Sequence, residues 1–242
     1  MTALPYTILS CAMSLDGYLD DASDERLVLS DCADLDRVDG QRAAADAILV
    51  GASTVRRDDP RLRVRDDDRR AARASLGLPP SPIKVTVTRR GDLDPRARMF
   101  DDDGTMKVVY CASAVVRRTS RRLHGLATVV DAGLEPSLRC VVTDLAERGV
   151  ERLLVEGGAT ILTQFLADDL ADELHLVVAP FFVGDPGGTP FVRPAAFPWS
   201  KENRARLVDT ATVGGVALLR YALSERCVAA PATLPTVSYS WT

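Results

Sequence analysis

Residues 153–160 read Leu153-Leu154-Val155-Glu156-Gly157-Gly158-Ala159-Thr160. A short apolar run ends in a carboxylate, and two glycines then open a segment with helical character to about residue 167. That is a buried strand leading directly into a helix, the unit of a sheet with helices on its faces. Glycines at such a junction let an anion approach the backbone, and the free N–H groups and dipole of the helix start favour phosphate. Glu156 then stands at the carboxyl end of a strand, where open α/β sheets place their ligands. The same residues would also make an ordinary tight turn with Glu156 as a first-turn charge, and local physics leaves both readings open. The dinucleotide fingerprint GxGxxG is absent, so a standard Rossmann unit is not expected.

Two upstream segments repeat the strand-to-turn pattern. Ala47-Ile-Leu-Val50 runs into Gly51-Ala52-Ser53-Thr54-Val55-Arg56-Arg57-Asp58-Asp59-Pro60-Arg61-Leu62, which offers small residues and hydroxyls beside a strand end. Asp58 and Asp59 before a proline also suit a plain turn. Residues 6–13 form an earlier apolar run, followed by Ser14-Leu15-Asp16-Gly17-Tyr18 with its Asp-Gly turn signal. Further strands are expected at residues 83–88, 107–110, 127–130 and 152–156. Helices are expected from a Ser30 or Asp31 cap to about residue 45, and over residues 137–148 up to Gly149. The last strands, at residues 173–179, 205–213 and 216–222, differ, because Gly214-Gly215 joins the final two as an antiparallel hairpin. The fold class is therefore α/β, with a mixed, mostly parallel sheet and an antiparallel C-terminal end. Residues 56–73 are dense in opposite charges and are expected to loop over the surface, with residues 66–73 as a solvated face. The tail, residues 224–242, has two prolines and no helical period. It reads as an arm on a neighbour or as a loose end.

Composition narrows the function. A formal net charge of −4 argues against a nucleic-acid binder, which normally carries a basic surplus. Five cysteines without CxxC spacing support neither a zinc ribbon nor a thioredoxin couple. His124 and His175 are the only imidazoles, so no metal site and no Ser-His-Asp triad is expected, and the chemistry should not depend on a protein nucleophile. The N-terminus lacks a secretory pattern, and no apolar run approaches the ~20 residues that span a bilayer. A soluble cytoplasmic protein is expected.

Taken in order, AMSLDG, ADAILVGASTVRRDDPRL, LLVEGGATI and the segment from Ala179-Pro180 to Gly187-Gly188 resemble the pyrimidine reductase family of riboflavin biosynthesis. The resemblance covers roughly residues 6–223. It implies the dihydrofolate-reductase-like fold, a reductase domain over residues 1–223, and a tail beyond it. The implied reaction reduces the ribosylamino group of a diaminopyrimidine 5′-phosphate to a ribitylamino chain with NADPH, with hydride delivered to C1′ of the opened sugar. Such chemistry leaves the protein to position both partners and manage one proton.

Carried onto matching positions, the resemblance implies Asp58 and Glu156 as catalytic residues. It implies Ala12, Thr54, Asp58, Thr88, Gly157, Gly158, Ala159 and Thr160 as cofactor contacts. Arg42, Leu62, Arg65 and Glu156 are the implied substrate contacts. Arg42 and Arg65 suit the substrate phosphate, because guanidinium forks bind phosphate oxygens in pairs. Either could instead form a surface ion pair with a nearby aspartate. A 2′-phosphate on the cofactor would need a cation such as Arg89, Arg90 or Arg117, and NADH stays open beside NADPH. The chain departs from bifunctional relatives at Arg26, Leu27 and Val28, where they have a serine and a tryptophan, and it has no deaminase zinc pattern. It is expected to be a stand-alone reductase. That departure keeps two alternatives open: a same-fold reductase of a pterin, dihydrofolate or specialised metabolite, and a non-catalytic nucleotide-binding protein. A homodimer is implied, with the hairpin at residues 205–222 and the tail as candidate contacts.

Overall fold

The computed structural model describes residues 3–229 apart from Asp24 and Arg26. The chain opens with β1 (Tyr6–Ser14), β2 (Tyr18–Asp20), α1 (Cys32–Ala43), β3 (Ala47–Gly51) and α2 (Ala52–Asp58). There follow α3 (Asp67–Ser75), β4 (Ile83–Thr88), β5 (Lys107–Cys111), α4 (Val116–Arg122), β6 (Thr128–Asp131) and α5 (Leu138–Glu147). The last third holds β7 (Arg152–Val155), α6 (Ala159–Ala167), β8 (Glu173–Ala179), β9 (Thr189–Pro190), β10 (Arg206–Val213), β11 (Val216–Ala222) and α7 (Arg226–Ala229).

Nine strands form one sheet in the order β10-β11-β8-β1-β7-β3-β4-β5-β6, while β2 and β9 pair separately. All neighbours from β8 to β6 run parallel, and β11 and β10 add on antiparallel. The central strands are apolar on both faces, as a sheet covered by helices on each side requires. On one face Leu9, Leu49, Val85 and Val155 pack with Val141 and Leu145 of α5 and with Leu162 and Phe165 of α6. On the other, Ile48, Val50 and Val109 pack with Ala52 and Val55 of α2 and with Leu123. Ile8 and Leu154 meet Ala45 on that second face.

β3 and β7 are adjacent, yet α2 leaves β3 on one face and α6 leaves β7 on the other. Diverging helices at the carboxyl ends of neighbouring strands open a crevice, the place where doubly wound sheets bind ligands.

The α/β class, the mixed sheet and the antiparallel end agree with the sequence reading. Several local features differ from it. Residues 56–73 are not one surface loop, since α2 runs to Asp58 and α3 covers Asp67–Ser75, capped by Asp66 Oδ1 accepting from Arg69 N at 2.8 Å. Within that segment Leu62 and Val64 are buried. Arg73 is buried too, because it donates to the carbonyls of Pro79, Ala43 and Ala45 at 2.8 Å each and so satisfies the end of α1 and the loop before β4. The β2–β9 ribbon and α4 had no counterpart in the sequence reading, and the tail, read as having no helical period, begins with the short α7. Of the tail, residues 230–242 lie outside the described residues. Before them Arg226 pairs with Asp172 at 3.2 Å. Among the described residues no helix is long and apolar enough to cross a membrane.

Candidate active site

The crevice is built from two turns bonded to each other. Glu156 N donates to Leu49 O at 3.0 Å, and Gly51 N donates to Gly157 O at 3.2 Å, so the exits of β7 and β3 are held in register. Gly157 and Gly158 have φ of +110° and +88°, where side chains are rarely accommodated. A Cβ on Gly158 would lie 3.0 Å from Thr54 Oγ1. Thr54 of α2 therefore touches the start of α6, and the two glycine-bearing segments form one surface. No side chain caps α6 at Gly158. Its first N–H groups thus make a bare cradle suited to a phosphate.

Glu156 stands at the crevice edge and is gripped by Arg42 of α1. Arg42 Nε donates to Oε1 and Nη2 to Oε2, both at 2.6 Å, and Nη1 donates to Arg63 O at 3.1 Å. Burial pulls the guanidinium pKa down, but the Glu156 charge and hydrogen bonds outweigh it, and the net shift is upward. Three bonds leave two of the five guanidinium N–H groups available for a further oxygen.

Asp58 is the last residue of α2. The next residue, Asp59, is in the left-handed region at φ 41° and accepts from Arg98 N at 2.7 Å. Leu62 is also left-handed, at φ 48°, and fully buried. Two non-glycine residues in that region within four positions store strain of order 1–3 kcal/mol each, a feature that clusters at functional sites.

A family model described as the RibD C-terminal domain matches residues 5–219. The 2,5-diamino-6-ribosylamino-4(3H)-pyrimidinone 5′-phosphate reductase of Archaeoglobus fulgidus is 36% identical over 181 residues, 74% of this chain and 82% of that protein. The protein of the same name from Methanothermobacter thermautotrophicus is 35% identical, over 74% of this chain and 80% of its own. This chain belongs to the RibD C-terminal domain family. It is an oxidoreductase of the riboflavin-biosynthesis reductase type. The fold is also that of a pyrimidine reductase-like protein from Corynebacterium diphtheriae, with a TM-score of 0.73 at 22% identity, over 90% of this chain and 91% of that one.

Within this RibD-type domain the structure brings most of the expected residues to one sheet edge. Ala12 lies near the carboxyl end of β1, opposite Val177 of β8. Ala159 and Thr160 begin α6. Thr88 ends β4, where its hydroxyl accepts from Gly91 N at 3.1 Å and shapes the following turn. Arg65 is half-exposed beside α1; its Nη2 donates to Leu35 O, and its Nε approaches Asp39 at 3.5 Å. Arg42 and Arg65 thus flank the same stretch, yet each already has a carboxylate partner. Arg26 lies outside the described residues, and Val28 is exposed.

Sequence reasoning missed several charged residues. Buried Asp39 accepts from Arg65 N at 2.7 Å and Asp66 N at 3.2 Å, which ties the segment after Leu62 to α1. Its spacing of three from Asp36, which binds Arg69, was the available signal. On α4, Arg117, Arg118, Arg121 and Arg122 line one shallow groove. None of the four has a carboxylate within 4 Å among the described residues. Arg89, by contrast, is paired with Glu135 at 2.5 Å.

Proposed function

We propose that the chain uses NADPH to reduce the ribosylamino group of a 2,5-diamino-6-ribosylamino-4(3H)-pyrimidinone 5′-phosphate to a ribitylamino group. The observation that carries this reading is one sheet edge joining the bare Gly157-Gly158 cradle to Glu156, Arg42 and Thr54. The two archaeal relatives named for this reaction support it.

The uncapped start of α6 and the positive-φ glycines fit a dinucleotide phosphate, because the backbone there is open to close approach. Bound NADPH would supply the hydride that adds to C1′ of the substrate. Asp58 would orient the sugar and manage the proton at its ring oxygen as the ring opens. Glu156, held rigid by Arg42, would accept hydrogen bonds from the amino groups of the pyrimidine. The two remaining N–H groups of Arg42, together with Arg65, would face the 5′-phosphate. The arginines of α4, none with a carboxylate within 4 Å among the described residues, support NADPH over NADH, since a 2′-phosphate needs cations not already neutralised.

A cytoplasmic homodimer is part of this proposal. Every residue of β10 except Val213 is exposed, and that surplus of accessible sheet supports a second copy as its cover.

The test is steady-state oxidation of NADPH by the purified protein, with the ribosylamino-pyrimidine phosphate against dihydrofolate. Turnover of the first with formation of the ribityl product is the expected result. Preference for dihydrofolate would give the second reading, which exposed Val28 in place of an aromatic wall favours. NADPH binding without turnover of either would make the chain a nucleotide-binding protein.

A further inference from the structure

The β1–β2 turn and the segment after β8 form one flap. Asp16 accepts from Val183 N at 3.0 Å and Gly184 N at 2.7 Å, and Asp185 accepts from Ala22 N at 3.1 Å. Leu15 N donates to Phe181 O and Phe191 N to Gly17 O, both at 2.8 Å. The β2–β9 ribbon is packed so closely that a Cβ on Gly188 would lie 2.7 Å from the Tyr18 ring. This flap continues from the carboxyl ends of β1 and β8. On the far side of the crevice α2 leaves β3, and β7 with its twin glycines lies between.

Two strand spacings separate β1 from β3, about 10 Å. The side chain of Arg57 crosses that span. Arg57 Nε lies 2.9 Å from Asp20 Oδ2, while Nη2 donates to Ser23 O at 2.9 Å and Asp21 O at 3.2 Å. Its neighbour Arg56 turns the other way, to Asp92 at 2.9 Å. Arg57 thus places three oxygens of one short loop on one guanidinium, next in sequence to Asp58. The planar fork matters here, since the three donors of a lysine sit on one nitrogen and do not match acceptors spread along a guanidinium.

We propose that Arg57 is a positioning residue for the reduction: it clasps residues 20–23 to the end of α2 and holds the flap across the crevice while cofactor and sugar are bound. The proposal rests on the crevice being the NADPH and substrate site. Arg57 acts through its protein partners: it fixes the distance between the flap and the helix end that carries Asp58.

The test compares the full-length protein with Arg57→Ala, Arg57→Lys and Asp20→Asn. Hydrogen exchange of the amides of residues 18–23 is measured without cofactor, and NADPH dissociation is measured by stopped-flow fluorescence. In Arg57→Ala and Asp20→Asn, loop exchange and NADPH release should both quicken by about tenfold, with KM for NADPH rising more than kcat falls. Arg57→Lys should fall between these variants and the unsubstituted protein, and thermal unfolding should be unchanged in all of them. Unchanged loop exchange in Arg57→Ala would overturn the clasp, and so would faster exchange with unaltered NADPH release. Failure of the unsubstituted protein to bind NADPH would instead sink the reading of the crevice, whatever the exchange shows.

Discussion

Arg42 and Glu156, from α1 and the end of β7, meet through two parallel hydrogen bonds of 2.6 Å with both side chains largely buried. Removing the cation would leave a mostly desolvated carboxylate without its partner, at a cost of about 3 kcal/mol, the low end for a buried pair. Arg42→Ala should therefore lose that much stability in urea unfolding, and the Arg42→Ala/Glu156→Ala double variant should recover part of it. A loss below about 1 kcal/mol would show the pair to be solvent-screened.

The chain should lose stability in acid in two steps. Ser10 Oγ donates to Gln41 Oε1 at 2.9 Å, which turns the Gln41 amide nitrogen toward His175 Nδ1. His175 Nδ1 must then be an acceptor, and Nε2–H faces Glu173 Oε1 at 2.8 Å. Burial holds the imidazole pKa below its ordinary 6.5, against the pull of Glu173. Burial also raises the Glu173 carboxyl, but His175 and Arg220 outweigh it and bring it to about 2. At both groups the unfolded chain binds more protons than the folded one, so stability falls as pH falls. The His175 contribution should fade below about pH 6.5 and that of Glu173 between about pH 4.5 and 2. Unfolding free energy measured against pH should show both, and His175→Gln should abolish the upper step and shrink the lower one, since His175 helps hold Glu173 low.

Gly158→Ala should damage both folding and cofactor binding. At φ +88° any Cβ is strained, by ~1–3 kcal/mol, and this one would press on Thr54 Oγ1. NADPH affinity by fluorescence titration should fall about tenfold or more, since the substituent stands in the phosphate cradle. Thr54→Gly in the same chain should relieve the contact but not the backbone strain, so recovery should be partial.

How much of this was legible follows from where the information lay. The bounds of β4 and β8, residues 83–88 and 173–179, agree with the sequence reading because apolar runs end at plain turn signals. α3 was lost because Asp66–Arg73 looks like a solvated run, and an arginine that serves three carbonyls has the same letter as one in water. β2 and β9 are three and two residues long, too short for any period to register. α4 lacked the apolar stripe that marks a helix. At the site, the Glu156-Gly157-Gly158 turn was readable because glycine itself reports an unusual backbone. Arg57 was not, because two of its three partners are carbonyls, which every residue has.

The α4 arginines should discriminate between the two nicotinamide cofactors. Arg117→Glu with Arg121→Glu removes two cations and adds two anions on an exposed helix, and among the described residues neither arginine has a carboxylate within 4 Å. KM for NADPH should rise by about tenfold or more while KM for NADH changes little, because only the former carries the 2′-phosphate. Equal effects on both would assign the groove to something other than cofactor choice.

The hairpin is where the proposed dimer can be tested. β10 exposes Leu207 and Val208, and its pairing with β11 shifts register between Leu207 and Asp209. A bulge there blunts edge-to-edge hydrogen bonding, as native edges commonly do. A second copy should therefore cover the hairpin through side-chain packing and not by continuing the sheet. Leu207→Asp with Val208→Asp places like charges on both sides of a two-fold contact, where each substitution counts twice. Light scattering should give a dimer for the unsubstituted chain and a monomer for the double variant, with the circular dichroism of the two alike. A dimer that survives the substitution would move the contact elsewhere.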